Sequence, residues 1–178
     1  QSGCDATLRR MNRSYATERF ADLAGALRQR IPDVAISTDV MVGFPGESEV
    51  EFEKTVRFVE EIAFSRLHVF RYSPRPGTVA ATLPDPVPAA VGHRRSERLI
   101  ALGGRLSRAF LQRFLRREVR VLFEAPRRGD RGPVWSGLTD NYLRVWAPSE
   151  DDLRNQFAKV RCLSAGAQGL YGALVPDG

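Results

Sequence analysis

The stretch Ala35 to Glu47, AISTDVMVGFPGE, constrains the fold of this chain more than any other. Ala35 to Val42 alternates and then merges into a β-branched apolar run, which predicts a buried strand of a parallel sheet. Gly43 and Gly46 bracket Phe44 and Pro45, so a sharp turn follows in which the backbone can approach a ligand closely. Ser48 and Glu51 then match a capping box, and Phe52, Val56, Val59 and Ile62 give the next helix an apolar stripe. Strand, glycine turn and helix N-terminus make one βα unit, and ligands of α/β folds bind at the carboxyl ends of such strands. The same turn could be purely structural, and its shape alone leaves both readings open.

Similar elements flank it. Asp5 to Met11 predicts a short helical turn, and Thr17 is an N-cap candidate for a helix with Phe20, Leu23, Ala24, Leu27 and Ile31 on one face. Pro32 and Asp33 end that helix, and Arg66 to Tyr72 predicts a second strand. Residues 73–88 hold five prolines and Gly77, which suits an irregular loop. A long helix, roughly Ala90 to Arg116, carries Leu99, Leu102, Leu106, Phe110 and Phe114 as its stripe. Two parallel strands buried on both faces cannot cover themselves, so residues 1–117 are expected to be the end of a larger α/β sheet or barrel.

From Glu118 the texture changes to short alternating strands at 118–124, 134–139, 142–146, 157–162 and 169–175. Five strands in so short a segment predict a small closed barrel, which leaves no exposed edge. The expected domains are therefore 1–117 and 118–178. In the second, Asn141, Tyr142, Arg144 and Trp146 gather on one hairpin. Alternation puts Tyr142, Arg144 and Trp146 on one face and Leu143 and Val145 on the other, so the first set is expected outward, where aromatics stack on bases and Arg meets phosphate.

The net charge of +6 is uneven. Residues 93–117 carry eight Arg against one Glu, whereas residues 118–178 sum to zero. Arg95, Arg98, Arg105, Arg108 and Arg113 lie off the apolar stripe, either as a solvated face or as a surface for phosphate, with Arg105 and Arg108 the candidate contacts. No apolar run is long enough to cross a membrane. Cys4 and Cys162 match no metal spacing, which fits a reducing cytoplasm. His68, among apolar strand neighbours, reads as a core histidine, and His93 as solvated.

Four segments in order, QSGCDATLRRMNRSYATERF, TDVMVGFPGESEVEFEKT, HVFRYSPRPGTVAA and LTDNYLRV, resemble the radical S-adenosylmethionine methylthiotransferases that modify tRNA. The resemblance spans essentially the whole chain and is greatest to the branch acting on threonylcarbamoyladenosine. It implies the C-terminal part of a radical-enzyme barrel, partial and TIM-like, followed by a small OB-like RNA-binding barrel of the TRAM type. Gln1 to Gly3, Ala35 to Val42 and Arg66 to Tyr72 would then be the last three barrel strands. The implied reaction adds a 2-methylthio group to N6-threonylcarbamoyladenosine beside the tRNA anticodon. Alternatives are a sister enzyme acting on isopentenyladenosine tRNA or a ribosomal protein, or a non-catalytic RNA-binding fragment.

The family holds two four-iron four-sulfur clusters on cysteines, and neither cysteine set occurs here. Both clusters are therefore expected outside this chain, which alone is expected to be inactive. The resemblance further implies that Ser2, Asp39, Gly43, Phe70, Tyr72 and Ser73 face S-adenosylmethionine. For Asp39 an acid inside an apolar strand is a supporting argument, although a carboxylate bonded to the following loop explains it equally well. Arg75 and Thr78, in the proline loop, either touch RNA or pin the loop. A monomer working on the tRNA anticodon stem-loop is the expected assembly.

Overall fold

Capping chemistry sets the first elements. The computed structural model describes residues 1–129 and 132–176. They divide into two compact units, Gln1–Leu106 and Ser107–Gly178. The division falls inside the long helix, ahead of residue 117.

The first unit runs α1 (Asp5–Arg10), α2 (Thr17–Arg30), β1 (Ser37–Val42), α3 (Glu49–Ile62), β2 (Arg66–Arg71), a 3₁₀ turn (Val79–Thr82) and α4 (Ala89–Gln112), which continues into the second. The capping box of α3 forms: the Glu51 N–H donates to Ser48 Oγ at 3.3 Å and the Ser48 N–H donates to Glu51 Oε2 at 2.9 Å. Arg10 adds a 2.6 Å bond to the same carboxylate, tying α1 to α3. Helix α2 is capped differently from expectation. Ala16 is its N-cap, and the Thr17 N–H donates to Asp5 Oδ1 at 2.8 Å, an acid from the preceding helix. On α2 the core takes Ala24, while Leu23 and Ile31 are exposed.

Strands β1 and β2 pair in parallel from Ser37 opposite Arg66 to Val42 opposite Arg71. The other edge of β1 meets Gln1, whose carbonyl accepts from the Met41 N–H at 2.9 Å. Val40, Val42, Leu67 and Val69 pack against Phe52, Val56, Val59 and Ile62 of α3 and Leu99 and Leu102 of α4. The opposite face carries Asp39, Arg66, His68 and Phe70, all exposed. Among the described residues, then, only one face of the pair is covered. Polar residues alternate with apolar ones along both strands, and strand geometry sends the two sets to opposite sides. His68 accordingly lies on the open face and not in the core that the described residues form.

The second unit closes β3 (Glu118–Gly129), β4 (Gly132–Thr139), β5 (Arg144–Pro148), β6 (Phe157–Gly166) and β7 (Gly169–Leu174) into a barrel of order β3-β4-β5-β7-β6. Every pairing is antiparallel except β5 with β7. Its core holds Val121, Phe123, Val145, Val160, Cys162 and Leu170. Gly137 is required for closure, because a Cβ there would collide with the Leu122 carbonyl. Strand β5 starts two residues after its expected position, since Tyr142 takes a left-handed φ of +62° in the preceding turn.

Candidate functional site

The Gly43–Glu47 turn is built by an acid that folds back on it. Gly43 and Gly46 have φ of +76° and +75°, values that disfavour side chains. Glu47 Oε2 accepts from the Gly43 N–H at 2.7 Å and from Arg95 Nη1 at 2.9 Å. Arg95 Nη1 also donates to the Glu47 carbonyl, and Nη2 to Glu49 Oε2, both at 2.9 Å. The Arg95 guanidinium lies over the Phe52 ring, 5.2 Å from its centre. The Glu47 side chain is fully buried, and that burial pushes its carboxyl above the usual range despite the pull of Gly43 and Arg95. Arg95, which sequence placed on an open helix face, is therefore the α4 anchor of this turn. The only clue was an acid 48 positions away.

Beside the turn, at the carboxyl ends of β1 and β2, lies a cavity of about 420 Å³. Gly43, Phe70, Tyr72 and Ser73 line it together with Val87 and Pro88. Phe44 packs edge-on against Tyr72, ring centres 5.2 Å apart. The Tyr72 hydroxyl is buried and has no hydrogen-bond partner among the described residues. Four of the six expected cofactor residues thus share one pocket.

The other two do not. Ser2 is buried, its Oγ 3.1 Å from Thr55 Oγ1 and accepting from the Cys4 N–H at 3.2 Å, so its oxygen serves the packing of the N-terminus on α3. Asp39 is exposed on the open sheet face, in register with His68, and lines a separate cavity of about 610 Å³ with Gln1, Tyr15, Arg19 and Thr38. The argument from a buried acid fails for it, because strand alternation turns Asp39 away from the core.

The expected RNA contacts scatter. Arg75 is exposed in the proline loop, where its carbonyl accepts from the Thr78 hydroxyl at 2.8 Å. Arg105 and Arg108 are exposed on α4, but Arg105 lies 4.0 Å from Glu60 and Arg98 pairs with Glu53. The acids missing from the basic segment are supplied by α3. On the barrel, Tyr142 is 82% exposed, Asn141 accepts from the Thr139 hydroxyl at 2.6 Å, and Arg144 pairs with Glu124. Trp146 is only 7% exposed, against expectation. The Arg127 guanidinium covers its ring at 4.5 Å and its Nε1 donates to the Gln168 carbonyl at 3.4 Å. Leu143 and Val145 are buried as well, so alternation cannot sort this hairpin into an inner and an outer set.

Among the described residues no three His, Cys, Asp or Glu side chains gather as a metal site. Cys4 and Cys162 are both buried, in different units. No described helix is long and apolar enough to cross a membrane.

No family model matches the chain. Curated relatives do. The threonylcarbamoyladenosine tRNA methylthiotransferase MtaB of Bacillus subtilis is 40% identical over 181 residues, covering 99% of this chain and 40% of its own length. The tRNA-2-methylthio-N(6)-dimethylallyladenosine synthase of Symbiobacterium thermophilum is 38% identical, over 98% of this chain and 37% of its own length. The synthase of that name from Clavibacter michiganensis is 50% identical over 125 residues, 70% of this chain and 24% of its own length. The chain thus spans about two-fifths of the first two relatives. Over that span it belongs to the radical S-adenosylmethionine tRNA methylthiotransferase family.

Proposed function

We propose that this chain is the C-terminal portion of an enzyme that adds a methylthio group to a hypermodified adenosine of tRNA. In this reading the first unit is the end of a partial TIM-like barrel that walls the S-adenosylmethionine site, and the second is a TRAM-like barrel that holds the anticodon stem-loop. One observation carries it. A chain matched along 99% of its length by a tRNA methylthiotransferase has its pocket at the carboxyl ends of two parallel strands.

The residues fit S-adenosylmethionine. Phe70 and Tyr72, with apolar Val87 and Pro88, suit the flat adenine, and the Ser73 and Tyr72 hydroxyls offer polar handles. Asp39 lines the separate cavity on the open face of β1 and is not among the residues that this pocket brings to the cofactor. When bound, the cofactor would supply both the radical and the methyl group. Within this chain Glu47 and Arg95 hold the Gly43 turn at the pocket rim, and Phe44 closes the space behind Tyr72. The residues do not fit an iron–sulfur cluster, since the two cysteines are buried and each unit holds only one among the described residues. Those clusters belong to the rest of the parent, which this reading places in the cytoplasm as a monomer.

The nucleoside we favour is threonylcarbamoyladenosine, because that relative matches 99% of the chain at 40% identity, against 98% at 38% for a dimethylallyladenosine synthase. The 50% identity over 125 residues to a dimethylallyladenosine synthase supports the second reading. Nucleosides from tRNA of a strain lacking the full-length gene decide between them by mass spectrometry. One 2-methylthio nucleoside should vanish while its unthiolated precursor persists, and an unchanged profile refutes the proposal.

A further inference from the structure

We propose, on the strength of the tRNA reading above, that the outer face shared by β3, β6 and β7 is where the second unit holds single-stranded RNA. Strands β4 and β5 offer little open surface, since Trp135, Ser136, Val145, Trp146 and Ala147 are all buried. The face across β3, β6 and β7 is open and patterned. Phe157, Lys159 and Arg161 point outward along β6, with Arg120 of β3 opposite Lys159 and Tyr171 of β7 opposite Ser164.

Two aromatic rings bracket the cations. Phe157 is 60% exposed, with the Arg120 guanidinium over its ring at 4.9 Å. The Tyr171 ring lies against Gly166, where a Cβ would come within 2.9 Å of its Cε2, so the glycine seats the ring on the sheet surface. Phe157 to Ser164 spans about 23 Å of strand at roughly 3.3 Å per residue, room for several nucleotides. Arg120 and Arg161 hold exposed pairs with Asp140 at 3.0 Å and Glu118 at 2.6 Å. Such pairs are weak enough for phosphate to displace the carboxylate. Aromatic platforms flanking a cationic track are how small barrels hold unpaired nucleic acid without reading its sequence. Phe157 and Tyr171 are exposed on this face, whereas Trp146 is sheltered.

Fluorescence anisotropy of the 178-residue chain with a labelled RNA hairpin bearing an unpaired loop tests this, with a fully paired RNA of equal length as competitor. Phe157→Ala and Tyr171→Ala should each weaken hairpin binding about tenfold, and Phe157→Tyr should retain it. Lys159→Gln should reduce the salt slope by roughly 0.7, the value of one single-strand phosphate contact. If wild type binds and both alanine variants bind within about twofold of it, this face is wrong while the tRNA reading stands. If wild type binds no RNA even at low salt, RNA binding by this chain fails and the face with it. If wild type without RNA self-associates in light scattering and Phe157→Ala abolishes it, the face joins copies of the chain and the proposal is overturned.

Discussion

Replacing Arg95 with Met should cost this protein more than most buried substitutions. The guanidinium reaches three oxygens, the Glu47 carboxylate and carbonyl and the Glu49 carboxylate, each at 2.9 Å, with its own side chain 5% exposed and that of Glu47 fully enclosed. Methionine fills the volume but leaves Glu47 with the Gly43 N–H as its one remaining donor. Breaking a buried pair from one side costs about 3–5 kcal/mol, whereas exchanging both partners for groups of similar shape is often neutral. Arg95→Met should therefore lose about 3–5 kcal/mol, and adding Glu47→Gln should return about 2–3 kcal/mol of it. The pH dependence follows from the raised Glu47 pKa. A carboxyl that binds its proton more tightly in the folded state stabilises fully below its unfolded value, 4.5, and loses that contribution as pH rises through the folded value. Arg95→Met should deepen this decline, and Glu47→Gln should abolish it. Urea unfolding reads both, with circular dichroism following the helices. Both tryptophans, Trp135 and Trp146, lie in the second unit, so their fluorescence is an internal control that should not move. A loss below about 1 kcal/mol, or no recovery in the double variant, would refute the reasoning.

Three further outcomes are expected. Gly137→Val should abolish the barrel's cooperative fluorescence transition at room temperature, since its Cβ would strike the Leu122 carbonyl; a transition shifted only slightly would show that the strands can part. Arg127→Ala should uncover Trp146, red-shifting its emission and raising acrylamide quenching, with a stability loss of about 0.5–2 kcal/mol; unaltered quenching would place the shelter elsewhere. Neither thiol should react with Ellman's reagent in the native protein at pH 8, because Cys4 is buried and burial raises the Cys162 pKa; a rapid native reaction contradicts the packing.

Local chemistry was readable from sequence, and cross-chain partners were not. The Ser48–Glu51 capping box and the α3 stripe of Phe52, Val56, Val59 and Ile62 stand as their spacing dictates, because both depend on residues within one helix. The parallel β1–β2 pair and the small barrel follow from strand texture and turn chemistry. The role of Arg95 was hidden because its partners sit on another element, and charge counted along α4 could not see the acids of α3. Trp146 was misplaced because two-fold alternation assumes one wet face, and Arg127, on a different strand, shelters it. Of the cofactor residues, the pocket gathers those at strand ends, Gly43, Phe70, Tyr72 and Ser73. Ser2 lies outside that pocket, its hydroxyl engaged by Thr55, more than fifty positions away.

The pairing of β1 with β2 alone leaves the outer border of β2 without a neighbour among the described residues. Such a border is a template on which other extended chains can nucleate, and charged side chains are the common deterrent. Arg66 and Arg71 stand at its two ends, both exposed, so an intruding strand would have to bring guanidinium groups into line with its own backbone. Neutralising both arginines should turn a well-behaved preparation into one that clouds on concentration, with no change in the native fold of an isolated molecule.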